Sequence, residues 1–92
     1  MANAIISLKI MPESPEVNLD KIEEEAKKKI LEFAGEGEIK AEQVPVAFGL
    51  KSINLIFIMN ESQGSTEPLE DSLADIEGVQ SVEVTDVRRA IG

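Results

Sequence analysis

The strongest constraint on this chain is where its hydrophobic period changes. In "NAIISLKIM" the residues Ala4, Ile6, Leu8 and Ile10 share one face, with Ser7 and Lys9 on the other. A period of two predicts a β-strand. The prolines of "PESPEVN" end that strand and make a loop. Beyond it the spacing switches to three and four. Leu19, Ile22, Ala26, Ile30 and Phe33 form one helical stripe, with Asn18 as its cap and Asp20 in its first turn. "GEG" at 35–37 closes this helix. A weaker strand is expected around residues 38–44. Next comes "LKSINLIFIM", residues 50–59, with Ile53, Leu55, Phe57 and Met59 on one face and Ile56 and Ile58 on the other. A run this apolar predicts a central strand, partly covered on both faces. After the loop "NESQGST", Ser65 or Thr66 caps a second helix and Pro68 falls in its first turn. Leu69, Leu73 and Ile76 form its inner face, and Gly78 is placed to terminate it in a left-handed conformation. "VQSVEVTDV" reads as the last strand, with Val82 and Val84 inward.

The order is therefore β-α-β-β-α-β. It predicts an α+β, ferredoxin-like βαββαβ sandwich: a four-stranded antiparallel sheet with two helices on one face. The right-handed crossover rule fixes its topology. With 92 residues, a single domain spanning 1–92 is expected.

Composition then removes functions. The chain has no His, no Cys and no Tyr. Ser-His-Asp catalysis, Cys-His catalysis and the usual zinc sites go with them. The net charge is −9, from 18 acids against 9 bases, which opposes binding to nucleic acid. Between Lys51 and Arg88 there is no basic residue at all, while Glu61, Glu67, Glu70, Asp71, Asp75, Glu77, Glu83 and Asp86 fall in that stretch. No apolar run reaches the length of about 18 residues that a transmembrane helix needs. The N-terminal stretch lacks a basic region and reads as a strand rather than a signal peptide. A cytoplasmic protein with no membrane partner is expected. The Lys27–Lys29 run has two readings, a phosphate patch or a solvated face. The acid-first pairs Glu23–Lys27, Glu24–Lys28 and Glu25–Lys29 favour the solvated face.

The architecture alone does not give function. RNA recognition on such a sheet stacks bases on aromatics of the middle strands, and the first strand has none. Acyl-phosphate hydrolysis needs an arginine in the early loop, where "MPESPEVN" carries two acids instead. Metallochaperones use paired cysteines. A small-ligand-sensing regulatory domain stays open, because its contacts can be largely backbone.

Three stretches narrow the choice. "KIMPESPEVNLDKIE", "PVAFGLKSIN" and "IEGVQSVEVTDVRR" together resemble the elongation factor 1-beta family, both its archaeal form and the C-terminal exchange domain of the eukaryotic one. The similarity runs the full length, in the same order. It implies a guanine-nucleotide exchange factor for elongation factor 1-alpha, meeting that GTPase in its GDP-bound and nucleotide-free forms. Such a factor makes no covalent bond and carries no cofactor or metal. The resemblance also implies which residues touch the partner. Phe48 matches the contact phenylalanine of a P-x-x-F-G motif, Gly49 allows the bend that turns the ring outward, and Pro45 stiffens the approach. Lys51 is a candidate rim charge. A core position for Phe48 is the competing reading. In eukaryotic relatives a terminal lysine reaches toward the magnesium site; counted from Thr85-Asp86, it falls just past Gly92. Arg88 and Arg89 are then the nearest cations, either as substitutes for it or simply paired with the acidic surface.

Overall fold

The computed structural model describes residues 3–35, 37–60 and 64–90. Its elements are β1 (Asn3–Pro12), α1 (Leu19–Ala34), β2 (Ile39–Pro45), β3 (Lys51–Asn60), α2 (Glu67–Ala74) and β4 (Val79–Ala90), with a short 3-10 turn at Ala47–Gly49. The strands form one sheet in the order β2-β3-β1-β4. Every neighbouring pair is antiparallel. This is the expected ferredoxin-like α+β arrangement.

The period-two faces explain the core. Ile6 lies opposite Phe57, Leu8 opposite Leu55 and Ile10 opposite Ile53, and all six are buried. Ile22, Ala26 and Ile30 of α1 and Leu69 and Leu73 of α2 cover that face. Each large side chain so buried is worth about 1.5–3 kcal/mol relative to exposure. Leu19, Phe33, Val82 and Val84 pack on the rim of the same cluster.

The helix ends follow local chemistry. Asn18 Oδ1 accepts the Lys21 N–H at 3.2 Å, and Gly35, at φ 85°, donates its N–H to Leu31 O at 2.9 Å. Glu36, part of the expected stop, lies outside the described residues, as do 61–63 of the loop before α2. At α2 the hydroxyls divide the work. Ser65 Oγ accepts the Glu67 N–H at 3.0 Å, while Thr66 Oγ1 donates to Glu70 Oε2 at 2.9 Å.

Three expectations need correction. Gly78 does not terminate α2, which stops at Ala74. Its positive φ of 93° instead serves the turn into β4, where its carbonyl accepts the Glu13 N–H at 2.8 Å. Of the three Glu–Lys pairs on α1, only Glu23–Lys27 closes, at 3.5 Å, because long exposed side chains gain little by holding one geometry. The outer face of β3 is covered less than expected: Ser52 is buried there, but no helix among the described residues lies over the strand. Both helices lie on one side, so Ile56 and Ile58 are 41% and 48% exposed.

The pairing of β1 with β4 shifts register between Ser7 and Leu8. Leu8 faces Val84 and Ser7 faces Asp86, so Thr85 is an extra, bulged residue. Its Oγ1 donates to Ser7 O at 3.3 Å. A one-residue insertion exchanges the two faces of everything beyond it.

Candidate partner-binding site

Phe48 occupies the tip of the β2–β3 hairpin. The hairpin closes through Val46 N–H to Leu50 O at 2.8 Å and Leu50 N–H to Ala47 O at 3.2 Å. Within this turn Phe48 has φ 60° and ψ 32°, and Gly49 has φ 75°. Phe48 is the one non-glycine residue with positive φ among the described residues. Glycine adopts this region without a Cβ clash, whereas an L-residue loses roughly 1–2 kcal/mol there. The ring gains nothing back inside the chain: Phe48 is 93% exposed and belongs to no part of the core. The sequence pointed to Gly49 as the bending residue. The structure shares the bend between Gly49 and Phe48 itself.

The base of the hairpin is tied to the helix layer. Gln43 Nε2 donates to Asp20 Oδ1 at 2.9 Å, linking β2 to the first turn of α1. Beside this link lies an open depression of about 310 Å³, whose lining includes Pro15, Leu19, Gly49 and Lys51. Lys51 pairs with Pro45 at the start of β3 and is exposed. Gly49 and Lys51 therefore share this depression, and Phe48 stands beside it at the hairpin tip.

Arg88 and Arg89 do not join it. Arg88 lies opposite Ile5, which lies opposite Ile58 on β3. The seven residue steps from Lys51 to Ile58 span roughly 23 Å at the usual rise of a strand. The arginines also separate from each other. Because of the Thr85 bulge, Arg88 falls on the helix-free face, while Arg89, opposite Ala4, falls on the core side. Arg88 Nε donates to Asp86 Oδ2 at 2.7 Å, an ion pair open to solvent.

Comparison with known proteins covers nearly the whole chain. A family model described as the EF-1 guanine nucleotide exchange domain matches residues 5–90. The chain is similar to the elongation factor 1-beta of Methanothermobacter thermautotrophicus, 42% identical over 89 residues, covering 97% of this chain and 98% of that protein. It is 46% identical over 92 residues to the elongation factor 1-beta of Staphylothermus marinus, with 97% and 98% covered. It is 42% identical over 90 residues to that of Methanocaldococcus jannaschii, with 98% and 100% covered.

Proposed function

The chain belongs to the EF-1 guanine nucleotide exchange domain family, and from that premise we propose how it promotes GDP release and GTP loading on elongation factor 1-alpha. The small-ligand-sensing alternative is not favoured. Residues 1–92 act as a single exchange domain in the cytoplasm, without a nucleic-acid or membrane partner. No bond is made or broken by the factor. The work comes from binding the nucleotide-free GTPase more tightly than the GDP-bound form.

Linkage sets the size of that difference. Each tenfold loosening of GDP needs about 1.4 kcal/mol, so a thousandfold effect needs about 4 kcal/mol. Burying the Phe48 ring in a pocket that the nucleotide-free partner offers and the GDP-bound form does not supplies roughly 1.5–3 kcal/mol of it. The hairpin already holds its left-handed turn before binding. The backbone strain is thus present in both states and costs nothing at the moment of docking. Lys51 adds a charge at the rim. Arg88 and Arg89 form a second contact at the other end of the sheet, standing where a cation reaches toward the magnesium site.

The exposed, strained Phe48 carries this reading, since nothing within the fold rewards it. The test loads elongation factor 1-alpha with fluorescent GDP and adds the protein at substoichiometric amounts. Release is expected to accelerate catalytically. Phe48→Ala is expected to lower the exchange efficiency by about ten- to a hundredfold with an unchanged melting temperature. A variant that melts early instead, or exchanges normally, removes Phe48 from the site.

A further inference from the structure

No helix among the described residues covers the face of the sheet opposite the buried core. Its central strands present Ile5, Ile56 and Ile58, three apolar side chains on adjacent register positions: Ile5 lies directly opposite Ile58, and Ile56 is two residues away on the same strand. Ile56 and Ile58 are exposed and Ile5 is half-buried. This stripe links the two ends of the proposed site. Ile58 continues through Ile5 to Arg88, and β3 leads back from Ile56 to the Phe48 hairpin, with Lys51 on the helix side of the strand.

Charge separates this face from the rest of the molecule. By register it carries Lys9, Lys40 and Arg88 against Glu42, Glu83 and Asp86. Three bases cancel three acids, so the whole net charge of −9 resides elsewhere on the chain. The helix side repels acidic surfaces, and this face does not.

From this juxtaposition we infer that the helix-free face, centred on Ile56 and Ile58, is the main docking surface for the same GTPase, with Phe48 and Arg88 at its two ends. The inference rests on the exchange reading above. Its scale fits. A standard interface buries about 800 Å² per partner, a patch about 32 Å across. The hairpin tip and Arg88 stand roughly that far apart. An apolar centre with a balanced charged rim is also the usual anatomy of such a patch. RNA is a poor occupant, since the face offers neither aromatic platforms nor a net positive charge. A second copy would place the same stripe on itself, with no end of the site reaching a nucleotide, and is kept as an outcome of the test.

Because the chain has no cysteine, Ile58→Cys creates a unique thiol on this face and Lys28→Cys one on the exposed side of α1. With nucleotide-free elongation factor 1-alpha in excess, alkylation of the Ile58→Cys protein by a maleimide is expected to slow at least about tenfold, while Lys28→Cys is unaffected. The double variant Ile56→Ser with Ile58→Ser is expected to raise the half-saturating concentration for GDP release about tenfold or more and to keep its circular-dichroism melt. A Ile58→Cys protein that folds but no longer exchanges gives the same support. Equal alkylation with and without the GTPase, while Phe48-dependent exchange persists, overturns this inference and leaves the exchange reading standing. Slow alkylation of the free protein that speeds up on dilution assigns the face to a second copy and overturns it as well. If the wild-type protein fails to accelerate GDP release at all, both readings fall together.

Discussion

Phe48 and Phe57 lie nine residues apart, at the tip and in the second arm of one hairpin, and are used in opposite ways. Phe57 is 2% exposed, opposite Ile6 on one side and Ile39 on the other. Phe48 is 93% exposed and sits in a left-handed backbone. Folding explains the first: a large ring leaves water and packs between two strands and the helices. Folding does not explain the second, which exposes a ring and strains its own backbone. A fold that withholds one aromatic from its core keeps that burial energy for something outside itself. The largest test of the contrast is Phe57→Ala, expected to cost about 3–5 kcal/mol through lost transfer energy and the cavity left behind. Urea denaturation reads it directly, and a loss below about 1 kcal/mol would contradict the packing described.

Much of this was legible in residue spacing. The strands and helices follow from the period changes, and the core list follows from the faces those periods define. Asn18 and the Leu69-Leu73-Ile76 face read correctly because capping and amphipathicity act within a few residues. Two of the failures share a cause: they depend on partners distant in sequence. Gly78 reads as a helix stop, but its absence of a side chain is needed because a Cβ there would stand 2.7 Å from Val17 Cγ1. The Thr85 bulge, which sends Arg88 and Arg89 to opposite faces, has no marker in "SVEVTDVRR" and emerges only from the register with β1. The exposure of Ile56 and Ile58 was within reach. Two helices on one side of a four-stranded sheet necessarily leave the other side open, and an apolar run need not mean two-sided cover.

A finer test separates the ring of Phe48 from its backbone. Asn tolerates the left-handed region better than any bulky residue. Phe48→Asn is therefore expected to raise stability by about 0.5–1 kcal/mol in urea titration while exchange falls as steeply as in Phe48→Ala. Stability and activity would then move in opposite directions at one position. If Phe48→Asn is instead less stable than wild type, the ring supports the hairpin and the contrast with Phe57 weakens.

The smallest effect concerns the far end of the sheet. The Arg88–Asp86 pair is short, 2.7 Å, but both side chains are open to water, and exposed pairs contribute roughly 0–1 kcal/mol. Asp86→Asn should leave the urea midpoint within about 0.5 kcal/mol of wild type. Its effect on exchange has a definite sign. While Asp86 holds the guanidinium, part of the Arg88 charge is neutralised and its side chain is drawn back along β4. Removing the carboxylate charge makes that cation available, so GDP release should quicken by up to about threefold at low salt and lose this gain as ionic strength rises. Arg88→Ala should move the rate the other way. Stopped-flow release measured across a salt series distinguishes the two. Should neither substitution change the rate at any salt concentration, the end of the sheet opposite Phe48 makes no contact with the GTPase, and docking is confined to the hairpin and the strands that lead from it.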